Sequence, residues 1–332
     1  MKFGPVPIGE ALGAILAHSV RGGAIRLRKG KVLDASDIAL LESSEIAEVV
    51  VAQLEDGEVD ENTAASQLAA GFEISRNSST LGVSDAFTGR ANLLAKTSGV
   101  VRVNAEKINA FNQINPMITL ATVPDFHMAD QGKLLATIKV ISFGVEHRDV
   151  VKAAAILKDA IALVPPSLLT AALIVTSTDG LRSDKGTEAV RARLGRWGVA
   201  LERVEVVAHD EQSITKILTE LDQDLVLILT ATATSDIRDV APSAVCRAGG
   251  RVERFGMPVD PGNLLFIGLV GTRPIIGLPG CARSPALNGT DWILSRTVCG
   301  IEVRDHDISA MGVGGLLKEI PSRPQPRNRR TK

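Results

Sequence analysis

Three polar loops, rich in small residues, carry the side chains of this chain that could do chemistry. They span residues 176–179, 230–239 and 277–284, and each follows an apolar run typical of a buried strand. In an open α/β sheet, ligands bind beyond the carboxyl ends of the strands. The sequence therefore predicts that the three loops form one pocket.

The second loop combines hydroxyl groups with two acids. It contains Asp236 and Asp239, and its hydroxyls belong to Thr230, Thr232, Thr234 and Ser235. Two nearby carboxylates suit Mg²⁺, which in turn holds phosphate. The same acids also suit the start of a helix, where they complement the helix dipole. The sequence leaves both interpretations open.

The first and third loops each have a binding and a structural interpretation. The first precedes a helix, so its backbone N–H groups could face an anion, or its Ser, Thr and Asp residues could simply cap that helix. In the third loop, Gly277 and Gly280 allow a ligand to approach the backbone. Ser284 is predicted to cap a helix that begins at Pro285. The alternative is a tight structural turn, and residues 256–262 would add a further rim.

Cysteine and histidine placement gives no sign of a nucleophile or a zinc site. Cys281 lies in the third loop without a basic partner nearby in sequence, and the five histidines are scattered without paired spacing. The predicted role of Cys281 is a small buried thiol.

Composition indicates a globular protein with an aliphatic core. Hydrophobic residues make up 45% and charged residues 23%, while aromatics are only 3% with no Tyr. So few aromatics argue against stacking on single-stranded nucleic acid, and a net charge of −1 offers no field to gather nucleic acid or an acidic membrane. No signal peptide or membrane span is predicted. Three cysteines without a paired spacing favour a reducing compartment, so we expect a cytoplasmic protein.

Hydrophobic patterning divides the chain at Pro165–Pro166, since neither proline can continue a helix. Residues 1–165 read as a smaller, mixed α+β, β-rich region with a possible sub-boundary near 77–84, and with one helix over 147–163. Residues 166–305 read as a three-layer α/β/α domain with a mostly parallel sheet. Residues 306–332 read as an extension with a basic, proline-rich tail, either a solvated terminus or a phosphate-binding arm. In the second region the predicted strands are 169–176, 204–208, 225–230, 264–270 and 274–278, and the predicted helices are 187–197, 212–221, 242–248 and 285–298.

The runs that start at Asp224, Asp239, Gly256 and Pro274 resemble the molybdenum-cofactor biosynthesis domain shared by the MogA and MoeA families. The most specific match is Gly277-Leu278-Pro279-Gly280, and its order after the other loops also fits. The N-terminal half resembles the leading region of MoeA-like proteins, through Ile15-Leu16-Ala17-His18 and Arg28-Lys29-Gly30-Lys31. In some relatives such a half is fused to a nucleotidyltransferase that makes the cytidylyl form of the cofactor.

The resemblance implies a pocket for molybdopterin, a phosphorylated pterin, or for its nucleotide form. It implies support for nucleotidyl transfer or molybdate insertion with Mg²⁺, a nucleotidyltransferase partner and a homo-oligomer. It assigns Asp236 and Asp239 as metal-binding and catalytic residues. The implied ligand contacts are Thr176, Thr178, Asp179, Asp184, Thr230, Thr232, Thr234, Ser235, Pro258, Gly262, Gly277, Pro279, Gly280 and Ser284.

Some residues depart from the family pattern. Relatives usually carry Gly-Gly where this chain has Ala231-Thr232, and the added side chains hinder a close approach of phosphate to the backbone. This departure motivates the alternative function, a non-catalytic interaction module that has kept the fold and lost the phosphate-binding loop.

Overall fold

The computed structural model describes residues 1–22, 25–74, 78–178 and 184–317. The chain splits into two compact units, Met1–Val164 and Pro165–Lys332. Asp179 and the basic tail from residue 318 onward lie outside the described residues, as does the side chain of Asp184. No helix in the described ranges has the length and apolar character needed to cross a membrane.

The first unit is built from short strands and four described helices. The helices are α1 (Ala35–Ser43), α2 (Glu61–Ala70), α3 (Ala105–Asn112) and α4 (His147–Ile156). The strands are β1 (Lys2–Pro7), β2 (Ile15–Leu16), β3 (Val20–Gly22), β4 (Ile25–Leu27), β5 (Glu48–Gln53), β6 (Glu58–Asp60), β7 (Leu81–Val83), β8 (Arg90–Ala95), β9 (Gly99–Val103), β10 (Ile118–Thr122), β11 (Met128–Ala129), β12 (Leu134–Val140), β13 (Gly144–Glu146) and β14 (Ile161–Val164).

Antiparallel pairing organises this unit around two hydrophobic clusters. The sheets run β1-β5-β2, β10-β12-β8-β7 and β11-β9-β14, with the two-stranded pairs β3-β4 and β6-β13. One cluster lies within residues 6–51, and the other within residues 59–163. Alternating buried and exposed residues along β8 and β12 place one face of their sheet on the second cluster.

The predicted single helix over 147–163 is wrong. Helix α4 ends at Ile156, and β14 then pairs with β9. Asp159 in the connection adopts a φ of 54°, a left-handed conformation that a right-handed helix cannot contain. The apolar residues after it therefore belong to a strand.

The second unit alternates strands and helices. Its strands are β15 (Thr170–Ser177), β16 (Ala200–Ala208), β17 (Leu225–Leu229), β18 (Arg251–Phe255), β19 (Phe266–Val270) and β20 (Arg273–Leu278). Its helices are α5 (Asp184–Gly195), α6 (Glu211–Glu220), α7 (Val240–Arg247), α8 (Gly289–Val298) and α9 (Asp305–Ser309). The strands form one sheet in the order β16-β15-β17-β20-β19-β18. Strands β16, β15, β17 and β20 are mutually parallel, and β19 runs antiparallel to β20 and β18.

Helices cover both faces of the sheet, which confirms the predicted α/β/α architecture. Helices α6 and α7 pack on Ile174, Val226 and Ile228. The alternate residues of the same strands are equally buried, and the start of α5 contacts Leu229 on that opposite side. Every residue of β17 is buried, as expected for a central parallel strand covered on both faces.

Two elements of the second unit differ from the prediction. Strand β18 has no counterpart in the prediction, because its sequence Arg-Val-Glu-Arg-Phe is short and mostly charged. Helix α8 begins at Gly289 rather than Pro285, because Asn288 and Asp291 form a reciprocal capping box there. Ser284 therefore does not cap the helix; it ends a 3₁₀ turn over Gly280–Arg283.

Candidate ligand-binding site

Four parallel strands end at one edge of the second sheet. Val175 of β15 is in register with Leu229 of β17, which is in register with Leu278 of β20. The loops that follow these strands therefore emerge side by side. Strand β16 ends at the same edge, because Ser177 pairs with Ala208. This edge places residues 176–178, 209–210, 230–239 and 279–284 near one another.

A hydrogen-bonded chain of side chains joins three of these strand ends. The Thr176 hydroxyl accepts from the Ala231 N–H at 2.8 Å and lies 2.8 Å from Nδ1 of His209. Nε2 of His209 lies 3.0 Å from the Thr232 hydroxyl. Either neutral tautomer of His209 completes the chain, because a hydroxyl can donate or accept. Loop 230–239 is thereby tied to the ends of β15 and β16.

Two further threonines stabilise the turn of the same loop from within. The Thr230 hydroxyl donates to the carbonyl oxygen of Thr232 at 2.6 Å and lies 3.4 Å from the Thr234 hydroxyl. Thr230 and Thr234 are buried, whereas Ala231 and Thr232 are exposed. The loop thus presents residues 231–233 to solvent and holds the hydroxyls of Thr230 and Thr234 inside.

Arg283 is a cation of the third loop that the structure places at this edge. Its Nη2 donates to the Thr230 carbonyl at 2.8 Å, and its other guanidinium N–H groups have no partner among the described residues. Gly186, near the start of α5, lies against both Arg283 and Leu229, and a Cβ there would sit 2.7 Å from the Leu229 side chain. Close approach at Gly186 therefore brings α5 against the end of β17 and the third loop.

Buried Arg193 holds the third loop in place. Its guanidinium donates to Asp291 at 2.9 Å and to the carbonyls of Ala282 at 2.8 Å and Ser284 at 2.6 Å. It also reaches the carbonyls of Ala189 and Ala286. With 7% of its side chain exposed, Arg193 joins α5, the third loop and α8 as one interior hydrogen-bond network.

Of the two acids of the second loop, Asp239 caps the start of α7 and Asp236 stabilises the turn before it. Asp239 accepts from Ser235 N at 3.0 Å and from Val240 N at 2.7 Å, while Asp236 accepts from Arg238 N at 2.8 Å. No group of three or more His, Cys, Asp or Glu side chains within the described residues is arranged to hold a metal ion. Both carboxylates accept backbone N–H groups in this structure. We therefore assign no chemical step to such an ion.

The remaining predicted contacts occupy different environments. Gly277 lies inside β20, where a Cβ would meet the ring of Phe266 at 1.8 Å, so its missing side chain accommodates a neighbouring strand. Gly262 similarly lies against the backbone of Gly289, and Pro258 near Gly312. Gly280, after Pro279, faces open space, and Thr178 is exposed. Among the residues of this paragraph, only Gly280 and Thr178 leave room for a ligand close to the backbone.

His209 and Arg283 are the site residues that the sequence analysis missed. A usable signal existed for His209, because it directly follows a strand just as Thr230 does. Its neighbour Asp210 caps α6, and hydrogen bonds from the backbone and side chain of Ser213 lower the pKa of Asp210. Arg283 had a weaker signal, since it lies within the predicted third loop.

A separate cavity of about 650 Å³ lies away from these loops. Its lining includes Thr272 and Pro274, at the start of β20, together with residues 300–306. It therefore lies toward the opposite end of β20 from Gly280 and shares no residue with the hydrogen-bonded loops.

Family comparisons match both units in part. Residues 167–296 match the family described as "Probable molybdopterin binding domain". Residues 5–53 match a "Domain of unknown function (DUF8806)". None of the curated proteins compared matches the sequence of this chain.

Solved structures of similar proteins include two from Pyrococcus. The molybdopterin biosynthesis moea protein from Pyrococcus horikosii is 12% identical, with 90% of this chain and 74% of that chain covered and a TM-score of 0.30. A molybdenum cofactor biosynthesis protein from Pyrococcus furiosus is 14% identical, with 91% and 66% covered and a TM-score of 0.25. A molybdopterin biosynthesis protein from Mycobacterium abscessus is 16% identical, with 41% and 94% covered and a TM-score of 0.30.

The family match runs from the start of the second unit to its helix α8, and so includes every loop of the described edge. Over residues 167–296, less than half of its length, this chain is thus similar to the family described as "Probable molybdopterin binding domain".

Proposed function

We propose that the second unit binds a phosphorylated pterin of the molybdopterin type at the edge formed by Thr176, His209, Thr232 and Arg283, as part of molybdenum cofactor biosynthesis. The observation that carries the proposal is the position of this polar network inside the family match of residues 167–296. The network lies where an α/β sheet binds its ligands, beyond the carboxyl ends of the strands.

Arg283 supplies the charge that a phosphate group requires. A guanidinium presents five N–H donors, and Arg283 uses one of them on the Thr230 carbonyl. Its remaining donors, which have no partner among the described residues, form charge-assisted hydrogen bonds to a phosphate oxygen in this proposal, and such bonds are stronger than neutral ones. The exposed Thr232 hydroxyl and the open space over Gly280 provide a polar contact and access to the backbone.

Loop 230–239 binds differently in this proposal from a glycine-rich loop. With Ala231 and Thr232 in place of two glycines, the approach of a phosphate to the backbone is hindered, so side-chain donors take over that role. His209 orients Thr232 for this contact by holding its hydroxyl at 3.0 Å. The proposal therefore assigns recognition to Thr232 and Arg283, and positioning to His209.

The test is retention of molybdopterin by the purified full chain. The protein is incubated with molybdopterin, separated from free ligand by gel filtration, and oxidised so that the bound pterin can be measured by fluorescence. We expect retention well above that of an unrelated protein of similar size. Retention equal to that of the unrelated protein would refute the proposal.

A second candidate, catalysis with a nucleotide and Mg²⁺, rests on Asp236 and Asp239. Mg²⁺ is often held by one or two carboxylates together with the phosphates of its substrate. The backbone hydrogen bonds that Asp236 and Asp239 accept are compatible with such a role. Asp239→Asn is expected to abolish any Mg²⁺-dependent turnover of the nucleotide or the pterin. Wild-type protein with no such turnover would leave binding alone as the function.

A further inference from the structure

The charges of the first unit are segregated along its sequence. Every charged residue between Glu10 and Asp34 is basic, whereas every charged residue from Asp34 to Glu73 is acidic. The basic residues form one group, and all of them are exposed: Arg21, Arg26, Arg28, Lys29 and Lys31. Clustered charge of one sign creates a local field even though the net charge of the chain is only −1.

Strands β3 and β4 direct two of the arginines toward solvent. Val20 pairs with Leu27, and both pack in one hydrophobic cluster of the unit. Since successive side chains of a strand point to opposite faces, Arg21 and Arg26 lie on the other face of the hairpin. Arg28 is exposed directly after the end of β4. Two arginines thus share the outer face of the hairpin, and a third lies at its base.

Arg21 and Arg26 are directly opposite each other across the two strands. Like charges in such a pair destabilise the strand pairing, and opposite charges stabilise it. No described residue gives Arg21, Arg26 or Arg28 an ion pair or a side-chain hydrogen bond. An external anion would therefore relieve a repulsion that the described part of the chain leaves uncompensated.

The two lysines of the group already have partners. Lys29 places its Nζ 5.3 Å from the centre of the Phe143 ring, a cation–π contact. Lys31 donates to Asp37 of α1. The carbonyl of Arg28 accepts the N–H of Lys31 at 3.2 Å, so the turn between them also fixes the backbone of Arg28. The arginines therefore carry the uncompensated charge.

The shape and surroundings of the hairpin indicate what kind of anion it suits. Sites for small molecules are concave, whereas these arginines lie on an exposed hairpin, and the cavity of about 560 Å³ in the same unit is lined by none of them. Helix α1, which contacts Lys31 through Asp37, begins a stretch whose charged residues are all acidic. A long nucleic-acid strand would meet repulsion there, but a short acidic peptide segment would not reach it.

We propose that Arg21, Arg26 and Arg28 form a docking surface for an acidic segment of a partner protein, whose carboxylates neutralise the opposed arginines. A guanidinium binds a carboxylate through two parallel hydrogen bonds, which adds geometric specificity to the attraction. The proposal uses residues of the first unit alone, so it does not depend on what the second unit binds.

The test is fluorescence anisotropy of labelled hexaglutamate titrated with the full chain. Wild-type protein should bind the peptide, and added salt should weaken the complex because the charges are exposed. The double variant Arg21→Gln/Arg26→Gln should bind about tenfold more weakly or worse, since it loses hydrogen bonds to charged groups. The control Lys133→Gln/Arg148→Gln removes the same charge from exposed positions elsewhere on the unit and should bind like wild type.

Thermal unfolding supplies a second measurement that does not use the peptide. Arg26→Glu turns the like-charged pair with Arg21 into an oppositely charged one, so its unfolding midpoint should rise while hexaglutamate binding falls. A midpoint that falls would overturn the account, because the loss of binding would then reflect a damaged hairpin.

Three binding results would also overturn the proposal. One is a wild-type chain that does not bind hexaglutamate. Another is an equal loss of binding in Arg21→Gln/Arg26→Gln and in the control variant. The third is a single-stranded DNA oligomer of the same charge that binds more tightly than the peptide and is lost in the same variant, which would assign the surface to nucleic acid.

Discussion

Arg283 is the residue on which the proposed phosphate contact depends most. Arg283→Ala should lower molybdopterin retention at least about tenfold, because a hydrogen bond to a charged group is worth about 1.5–3 kcal/mol. Arg247→Ala is the matched control, since Arg247 is an exposed arginine on α7 that pairs with Glu211 at 3.4 Å. Retention that falls equally in both variants would show that Arg283 has no specific contact.

His209 is the residue that tests whether the Thr176 and Thr232 hydroxyls must be held in position for binding. His209→Ala removes the partner of both Thr176 and Thr232, so retention of the pterin should fall severalfold while the chain stays folded. His209→Asn, which can still bond one of the two hydroxyls, should recover part of the loss. His306→Ala, at a histidine with 74% of its side chain exposed on α9, should change nothing. Unaltered retention in His209→Ala would remove His209 from the site.

Sequence alone locates some of these residues and misses others for a physical reason. Thr176 lies near the end of an apolar strand, and Thr230 and Thr232 follow another, so their presence at a sheet edge is predictable from the chain order. His209 lies 33 residues from its partner Thr176, and the two meet only because β16 pairs with β15. Spacing between histidines carries no information about which strands become neighbours.

At the scale of elements, Arg193 determines how the third loop sits against α5. Arg193→Met should destabilise the protein by about 3–5 kcal/mol, because it leaves Asp291 and several carbonyls without their buried cation. Chemical denaturation measures the change. The control is Arg191→Met, two residues along the same helix, with 47% of its side chain exposed. That change should cost about 1 kcal/mol or less.

Element boundaries were predictable where a local signal agreed with the packing. Asp34 belongs to the residue types that favour the N-cap position, and its carboxylate accepts from Ser36 N and Asp37 N at the start of α1. At α8 two signals competed: Ser284-Pro285 suggests a helix start, but Asn288 with Asp291 forms the reciprocal box. The side chain of Arg193 also holds the carbonyls of Ser284 and Ala286, which fixes that segment as a loop.

The antiparallel strands β18 and β19 show a further limit of prediction from sequence. Strand β18 is half-exposed and charged, so it lacks the apolar run by which the buried parallel strands are recognised. Its place in the sheet comes from pairing with β19, a contact between segments that are separated by residues 256–265. The mostly parallel core was predictable from burial patterns, whereas the order of strands at the edge was not.

Acid sensitivity is expected for the whole molecule. Hydrogen bonds lower the pKa of three aspartates below its ordinary 3.8. For Asp224 the donors are the backbone N–H groups of Leu169 and Thr170. For Asp34 they come from Ser36 and Asp37, and for Asp210 they come from Ser213. A carboxylate whose pKa is lower in the folded than in the unfolded protein stabilises the fold at any pH above its unfolded-state pKa. That stabilisation is lost as the pH falls through its folded-state pKa.

Stability should therefore decline as the pH is lowered below about 4, the ordinary pKa of an aspartate. Denaturation curves at a series of pH values measure the decline, and Asp224→Asn should make it shallower. The control Asp222→Asn, at an exposed neighbour, should leave the slope unchanged. An identical slope in wild type and Asp224→Asn would mean that Asp224 does not contribute to acid sensitivity.

The central claim is that the second unit holds a phosphorylated pterin at the edge formed by β15, β16, β17 and β20. The most direct measurement is fluorescence of oxidised pterin retained by wild-type protein, Arg283→Ala and Arg247→Ala after gel filtration from molybdopterin. We predict retention by the wild type and by Arg247→Ala, with a loss of about tenfold or more in Arg283→Ala. Wild-type retention no greater than that of an unrelated protein would contradict the claim.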